Sequence, residues 1–172
     1  MLKTKQKELP KRKHIRLRGF DYSKPYAYFI TVCSHNRRRY FVDSVLNQKI
    51  LDLLLAEGKE HGFIIYAYCL MPDHLHLLLS PPGNGLSISE FIGRFKSKTT
   101  RFAWGFGIRG KLWHGRFYDH ILRNRESLLE VTTYILYNPV RERLVDDLWG
   151  YRWSGGVLIS SDKDKHCPST YI

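Results

Sequence analysis

The apolar residues of this chain follow two different periods, and the first of them predicts strands. Several stretches are rich in β-branched and aromatic residues, a composition typical of strands. The turn-forming pair Pro72-Asp73 stands between the second and third of these stretches, so these two strands are expected to form a hairpin. The predicted strands cover residues 26–33, 63–70, 74–79 and about 112–122.

Three further segments carry apolar residues at the spacing of one helix face. The first helix is expected to end before Gly62, and the second to begin at a serine cap, either Ser87 or Ser89. Pro139 is expected to stop the third helix, because proline disfavours helical backbone at the residue before it. The predicted helices cover residues 44–61, about 87–104 and 126–137.

The order of these elements, β-α-β-β-α-β-α, predicts an α+β fold. It is compatible with a ferredoxin-like or RRM-like sandwich, in which an antiparallel sheet carries helices on one face. The other face of the sheet would be open to a ligand. Along the chain we expect a flexible basic arm over residues 1–19, a folded domain over 20–155 and a polar tail over 156–172.

The chain is strongly basic, with 28 Lys and Arg residues against 16 Asp and Glu residues, a net charge of +12 and a pI near 9.7. This balance favours a polyanionic partner, because Lys and Arg neutralise phosphates and release counterions. Aromatic residues stand between many of the cations and offer faces on which unpaired bases stack. The candidates for nucleic-acid contact are Arg37, Arg38, Arg39, Arg94, Lys96, Lys98, Arg101, Trp113, His114, Arg116 and Tyr118.

Two alternatives to nucleic-acid contact stay open for the aromatic and imidazole residues. Each aromatic residue taken alone has a place in the core as its alternative role. For His114 and His120 the alternative is a structural role. The charge pattern therefore favours a class of partner without assigning any single contact.

Other classes of protein are disfavoured by the composition. No apolar run approaches the roughly 18–20 residues of a membrane span, and the basic N-terminus has no apolar segment of the kind found in signal peptides. Cys33, Cys69 and Cys167 are far apart, which argues against a zinc ribbon and against a disulfide framework. We therefore expect a soluble protein of a reducing cytoplasm.

The third predicted strand carries the first candidate for chemistry. Residues two apart in a strand point to the same face, so His74 and His76 project together. The intervening and following leucines, Leu75, Leu77 and Leu79, face the core. Two imidazoles at this spacing are able to share a metal ion. The alternative is an ordinary polar pair on a solvent-facing sheet, and the spacing alone does not decide between the two.

The last predicted helix carries the second candidate. Tyr134 and Asn138 are four residues apart and therefore adjacent on one helix face. A phenol beside an amide oxygen would present a nucleophile and a metal ligand together. The alternative is a packing role, because helical tyrosines mostly pack against their neighbours.

Taken together, four segments resemble the single-tyrosine HUH transposases. The branch that they resemble most is the REP-associated tyrosine transposases, which are relatives of small bacterial insertion-sequence transposases. The similarity spans about Arg16 to Ser154. The segments are RLRGFDYSKPYAYFITVCSHNRRRYF, MPDHLHLLL, WHGRFYDHILRNRESL, and YILYNPVRERLVDD with YRWSG behind it.

The resemblance implies roles for four residues. His74 and His76 match the two histidines of the HUH motif. Tyr134 matches the nucleophile, and Asn138 matches the polar residue that supplies a third metal ligand. Tyr137 competes as the nucleophile, but the motif alignment favours Tyr134. The resemblance implies Mg²⁺ or Mn²⁺ as the metal, although such ligands bind Zn²⁺ or Ni²⁺ more tightly.

The implied activity is metal-dependent cleavage and rejoining of single-stranded DNA through a 5′-phosphotyrosine, at palindromic repeats that form hairpins. The resemblance implies a place in the bacterial cytoplasm or nucleoid, and it favours a monomer over a dimer that exchanges the tyrosine helix. Two other functions stay open. One is a module that binds nucleic-acid hairpins without catalysis, and the other is a zinc hydrolase using water, which leaves the basic clusters unexplained.

Overall fold

A five-stranded antiparallel sheet forms the centre of the molecule, in a computed structural model that describes residues 20–122 and 125–159. Its strand order is β4-β1-β3-β2-β5, and every neighbouring pair is antiparallel. The α+β class and the predicted element order are confirmed, with one short strand added at the end. The strands are β1 (Ala27–Cys33), β2 (Ile64–Met71), β3 (His74–Ser80), β4 (Tyr118–Leu122) and β5 (Ser154–Gly155).

Two of the three helices cover one face of the sheet. The helices are α1 (Ser44–Glu60), α2 (Ile88–Ala103) and α3 (Arg125–Arg141). Apolar side chains of α1 and α2 pack against alternate residues of β1 and β3, including Ile30 and Leu77, which are both fully buried. Each such burial contributes about 1.5–3 kcal/mol to folding, so this face holds the main core.

α3 differs from the expected arrangement, because it lies on the opposite face of the sheet. It packs mainly over β2 and β3. Ile135 and Leu136 join Leu78 and Cys69 in a second, smaller core. The physical reason is that α3 has an apolar stripe of its own, which must be removed from water. The face that was expected to be open is therefore covered over β2 and β3.

Local signals set the starts of α1 and α2. The Asp43 carboxylate accepts hydrogen bonds from the backbone N–H groups of Val45 and Leu46, each at 2.9 Å. Ser87 and Glu90 form a reciprocal capping box at the start of α2, which selects Ser87 over Ser89 as the cap. A cap of this kind contributes about 1 kcal/mol.

The register of the sheet brings one row of residues into line across four strands. Pro72 and Asp73 form the two-residue turn between β2 and β3, as predicted, and Met71 pairs with His74. Directly opposed residues in adjacent strands point to the same face. The row on the α3 face runs through Tyr118, Thr31, His76 and Cys69.

The strand predicted from about residue 112 is shorter in the structure. β4 begins at Tyr118, and residues 112–117 form a loop beside the end of β1. Ser34 and Trp113 make an isolated bridge there, and the His114 N–H donates to the Cys33 carbonyl. The prediction of a strand was wrong for this loop, because its apolar residues are buried but do not form a continuous hydrogen-bonded pairing with a neighbouring strand.

The third helix is longer than predicted, since it continues through Pro139 to Arg141. Proline has no N–H, so the carbonyl of Ile135 lacks its usual partner. The missing N–H lies near the end of the helix, so only one hydrogen bond is lost. The Glu142 N–H still donates to the Asn138 carbonyl and the Leu144 N–H to the Pro139 carbonyl. The prediction that the helix ends before Pro139 was therefore wrong.

The packed part of the chain extends beyond residue 155, the predicted end of the domain. Ile159 is buried in the second core. The predicted basic arm, residues 1–19, and the part of the predicted tail from residue 160 onward lie outside the described residues. Within the ranges 20–122 and 125–159, no helix has the length and apolar character needed to cross a bilayer.

Candidate active site

His74 and His76 project from β3 on the face that α3 covers, while Leu75, Leu77 and Leu79 enter the main core. The alternation predicted from the sequence is therefore confirmed. The two imidazoles meet edge-on, with their Nε2 atoms 3.0 Å apart. Two ring nitrogens thus converge on one point above the sheet.

The other nitrogen of each ring has an oxygen partner. Nδ1 of His74 lies 2.6 Å from Oδ1 of Asp73, and Nδ1 of His76 lies 2.9 Å from Oγ1 of Thr31. Histidines that ligate metals usually have such a partner on the second nitrogen, which orients the ring. Both rings are therefore held with Nε2 directed at the same point.

The electrostatic environment keeps His76 neutral. It is only 6% exposed. This burial, together with the nearby charges of His74, Arg37 and Arg141, lowers the pKa of His76 to about 3. The imidazole is therefore uncharged near neutral pH, which is the form that binds a metal ion.

The Asp73 carboxyl is ionised. Burial alone would raise its pKa, but the hydrogen bond and charge of His74 and the guanidinium of Arg37 lower that pKa overall. Nη1 of Arg37 lies 3.3 Å from Oδ2 of Asp73. The carboxylate is thus bridged between the imidazole of His74 and an exposed cation.

Tyr134 lies directly against the histidine pair. Its ring centroid is 5.9 Å from that of His76 and 5.8 Å from that of Phe29, edge-on in both cases. The guanidinium carbon of Arg141 lies 5.2 Å from the centre of the Tyr134 ring. The side chain is still 42% exposed, so the phenol is positioned by its neighbours and open to a substrate.

Tyr137 occupies a different position on α3. It is 46% exposed, much like Tyr134. Within the described parts of the chain, its ring makes no contact with His74 or His76, whereas the Tyr134 ring contacts His76. The geometry therefore agrees with the motif alignment in favouring Tyr134.

Asn138 lies one turn beyond Tyr134 and is 7% exposed. Its Nδ2 donates a hydrogen bond of 2.7 Å to the backbone carbonyl of Tyr134. That bond uses the nitrogen of the amide and leaves Oδ1 as the atom with lone pairs to offer. The amide oxygen is therefore the atom of Asn138 that is chemically suited to bind a metal ion.

Sequence reasoning missed four residues that shape this site: Thr31, Asp73, Phe29 and Arg141. Asp73 is adjacent to His74 in the chain, so its proximity was a usable signal. Thr31 is brought to His76 only by the register between β1 and β3. Arg141 is seven residues from Tyr134, a helical spacing that was hidden because the helix was predicted to end at residue 137.

Some of the predicted nucleic-acid contacts lie near the histidine pair. Arg37, Arg38 and Arg39 are exposed and follow the end of β1, beside the start of β3. Tyr118 is exposed and belongs to the same cross-strand row as Thr31. These residues border the part of the sheet face that α3 does not cover.

Other predicted contacts lie on the opposite face or make contacts within the protein. The buried carboxylate of Glu57 accepts hydrogen bonds from Arg94, at 2.7 Å, and from Lys98, which ties α1 to α2. Nζ of Lys96 donates to the backbone carbonyls of His114 and Arg116. Exposed side chains are found at Arg101, His114 and Arg116.

Trp113 is a core residue, and its assignment as a base-stacking residue is corrected. It is 4% exposed, and its indole N–H donates to Oγ1 of Thr99 at 2.8 Å. Phe41 and Phe95 pack against its ring. The ring is buried because the loop of residues 112–117 turns its apolar side chains inward, so no face is left for a base.

Glu57, Glu60 and His61 form a second group of potential metal ligands, close enough together to share an ion. However, Arg94 and Lys98 already bind the Glu57 carboxylate and also approach Glu60. These two cations neutralise the group and would oppose a metal ion there. On the other face, the partners of the histidine ring nitrogens are Asp73, Thr31 and the other imidazole, while Arg37 binds Asp73 and the Arg141 guanidinium lies over the Tyr134 ring.

A family comparison identifies the class of protein to which this site belongs. Residues 22–138 match the family model described as "Transposase IS200 like". The chain belongs to the IS200-like transposase family. The matched segment contains all four residues of the predicted site, and the resemblance seen in the sequence is confirmed.

Individual relatives of this IS200-like transposase agree with the family match. It is 25% identical over 133 residues to an Escherichia coli REP-associated tyrosine transposase, covering 77% of this chain and 78% of the relative. A Haemophilus influenzae protein that carries the same name provisionally is 27% identical over 143 residues, covering 76% of this chain and 81% of the relative.

A solved structure shares the fold. It is described as a REP-associated tyrosine transposase bound to a REP hairpin, and it superposes with a TM-score of 0.71 at 22% sequence identity. The alignment covers 91% of this chain and 90% of that one. The shared fold therefore covers most of the chain.

Proposed function

We propose that this IS200-like transposase cleaves and rejoins single-stranded DNA through a 5′-phosphotyrosine on Tyr134, with a divalent cation held by His74, His76 and Asn138. The observation that supports it most strongly is the position of Tyr134 against His76, on the face where the two Nε2 atoms converge. A nucleophile beside two potential metal ligands is an arrangement suited to metal-assisted phosphoryl transfer through a covalent intermediate.

The donor set suits a divalent cation. The two Nε2 atoms are 3.0 Å apart, so His74 and His76 are close enough to hold one cation together. Neutral imidazoles and an amide oxygen are ligands that Mg²⁺ or Mn²⁺ accepts. When bound, the ion would neutralise charge on the scissile phosphate.

The proposed reaction is balanced without a further cofactor. The Tyr134 hydroxyl oxygen attacks phosphorus, the bond from phosphorus to the 3′-oxygen breaks, and a 5′-phosphotyrosine forms. The phenol loses its proton, and the departing 3′-oxygen takes one up. Rejoining is the reverse, because a 3′-hydroxyl attacks the phosphotyrosine and releases Tyr134. One phosphodiester replaces another, so no ATP is needed.

The DNA strand is proposed to cross the part of the sheet face formed by β1 and β4. Tyr118 and His120 are exposed there and offer rings for base stacking. Arg37 and Arg141 are exposed cations whose charges act on His76, so they lie where a phosphate would approach the site. As substrate we propose single-stranded DNA that forms hairpin repeats, handled in the bacterial cytoplasm or nucleoid.

We propose that the chain acts as a monomer. Tyr134 contacts His76 of its own chain, so one chain supplies both the nucleophile and the histidine pair. A second copy is not needed to complete the proposed site. An exchange of α3 between subunits would replace this contact with its equivalent from the partner.

The test uses a pool of labelled hairpin oligonucleotides with randomised single-stranded flanks, incubated with the full chain and Mg²⁺ or Mn²⁺. We expect a covalent adduct that survives denaturant in the wild type and in Tyr137→Phe, which is the matched control on the same helix. Tyr134→Phe is expected to form none. An adduct that depends on Tyr137 instead would contradict the assignment, and retained binding without cleavage would favour the non-catalytic hairpin module.

A further inference from the structure

We infer that Thr31 allows His76 to exchange its ring proton between two nitrogens when a divalent cation binds, while Asp73 holds His74 in a single form. The inference rests on the proposed metal site, and it assigns a positioning role to two residues outside the ligand set. It follows from three contacts of the two rings: His74 with Asp73, His76 with Thr31, and the two Nε2 atoms with each other.

The contact with Asp73 fixes His74. A carboxylate only accepts hydrogen bonds, so the short contact of 2.6 Å requires the ring N–H to be on Nδ1. The other carboxylate oxygen faces Arg37 at 3.3 Å, which keeps the group ionised and in place. In the neutral ring, which carries one N–H, Nε2 of His74 therefore has a lone pair whether or not a cation is present.

His76 has two possible arrangements. Its side-chain hydrogen-bond partners among the described residues are Thr31 on Nδ1 and His74 on Nε2, and a neutral imidazole has only one N–H to place. With the proton on Nε2, His76 donates to His74, and the hydroxyl of Thr31 donates to Nδ1. With the proton on Nδ1, His76 donates to Thr31, and both Nε2 lone pairs face the same point.

The two arrangements suit two different states of the site. Two lone pairs 3.0 Å apart repel each other unless a cation lies between them, so the cation-free protein favours the first arrangement. A bound cation needs both lone pairs and therefore favours the second. The proton moves from Nε2 to Nδ1 of the same ring, and the protein gains and loses no net proton.

Thr31 is suited to both arrangements because a hydroxyl both donates and accepts hydrogen bonds. Its partly exposed position allows the hydroxyl hydrogen to turn to solvent when His76 donates to it. A carboxylate at this position would accept only, and valine would do neither. The difference between Thr31 and Asp73 therefore gives one fixed and one adaptable ligand.

The exchange is tested by ¹⁵N–¹H correlation NMR of histidine-labelled protein at mildly alkaline pH, with Mg²⁺ or Zn²⁺ as the diamagnetic probe. Without metal we expect an Nδ1–H form for His74 and an Nε2–H form for His76. Saturating cation is expected to convert His76 to the Nδ1–H form and leave His74 unchanged. An Nδ1–H form of His76 in the metal-free protein would overturn the inference.

Two variants separate a positioning role from a merely structural one. Thr31→Ser keeps the hydroxyl, so cation affinity and the exchange of His76 are expected to persist. Thr31→Val keeps the β-branched shape and is expected to weaken Mg²⁺ and Mn²⁺ binding about 10- to 100-fold, measured on the folded protein well below its melting temperature. Equal cation affinity in Thr31→Val and wild type would refute the role of Thr31.

The same titration distinguishes a failure of this inference from a failure of the proposed function. If neither cation shifts any nitrogen signal of the two rings, the metal site itself is wrong and the proposed function falls with it. If cations shift those signals while His76 keeps one form throughout, the metal site stands and only the exchange is overturned.

Discussion

The two faces of the sheet are built from the same strands but hold different kinds of residue. The face under α1 and α2 is apolar, with Leu75 and Leu77 fully buried. The face under α3 presents His74 and His76 between an apolar patch and an exposed margin. Since neighbouring residues of β3 supply both faces, a single strand contributes to stability with one set of side chains and to the proposed site with the other.

Charged groups differ between the faces in the same way. On the α1–α2 side, the Glu57 carboxylate is 1% exposed and closed by two cations. On the α3 side, Arg37 and Arg141 remain exposed beside the site. Ion pairs that are satisfied within the protein hold helices together, whereas exposed cations remain accessible to a phosphate.

The largest expected effect on activity comes from a substitution on the face of the sheet that α3 covers. His76→Asn removes one of the two converging nitrogens, and we expect adduct formation in Mg²⁺ or Mn²⁺ to fall at least about 100- to 1,000-fold. The free energy of unfolding should fall by about 0.5–3 kcal/mol, because His76 is buried, so adduct formation is compared well below the melting temperature. Single-turnover adduct assays and urea unfolding measure the two quantities. Full activity in the His76→Asn variant would show that the histidine pair is not part of the active site.

Leu77, the residue after His76 in β3, is expected to give the opposite pattern, a large loss of stability with little loss of activity. Leu77→Ala leaves a cavity in the main core and is expected to lower the free energy of unfolding by about 2–5 kcal/mol. The fraction that stays folded should form the adduct at the wild-type rate. Urea unfolding and adduct assays well below the melting temperature provide the check. A stability loss below about 1 kcal/mol would mean that the face under α1 and α2 is not the main core.

Substitution of Arg141, a cation on the face of the sheet that α3 covers, should have an intermediate effect. Arg141→Gln is expected to slow adduct formation about tenfold and to reduce the salt slope of DNA binding by about one, as for a phosphate contact. Arg152→Gln is the matched control, because the Arg152 guanidinium also lies over an aromatic ring, that of Trp153. Equal effects of the two substitutions would show that only overall charge matters.

The smallest effect is expected at Glu57, the buried carboxylate that Arg94 and Lys98 bind. Glu57→Gln should lower the free energy of unfolding by about 1 kcal/mol at neutral pH, because Arg94 and Lys98 are partly exposed and turn to water. Burial would raise the pKa of Glu57, but hydrogen bonds from Lys98 and Arg94 lower it overall.

The lowered pKa of Glu57 gives this prediction a pH dependence. The folded-state pKa lies below the ordinary value of 4.5, so the stabilisation is fully present above that value and is lost as the pH falls through the folded-state pKa. The difference between wild type and Glu57→Gln should therefore shrink in acid. A difference that stays constant between neutral and acidic pH would contradict the assignment.

Much of this arrangement could be predicted from the sequence, because it depends on local periodicity. The alternation in β3 places His74 and His76 on one face, and the spacing in α3 places Tyr134 beside Asn138. A serine cap at the start of α2 was predicted as Ser87 or Ser89, and the structure selects Ser87. These features need only the residues of one element and their neighbours.

The remaining features depend on how distant elements meet. Thr31 reaches His76 through the register of β1 on β3, which no local pattern encodes. Aromatic residues between cations do not reveal which of them are buried, so Trp113 and Tyr118 look alike in sequence although one is in the core and the other is exposed. α3 could have covered either face, and its apolar stripe alone does not choose.

The two-residue turn between β2 and β3 carries a consequence for how this chain could change in evolution. Substitutions at Pro72 are compatible with the site as long as the turn keeps its length. An inserted residue taken up by β3 would move every following side chain to the other face, burying imidazoles under α1 and α2 and exposing leucines beneath α3. Insertions at this turn are therefore expected to be eliminated by selection far more strongly than substitutions.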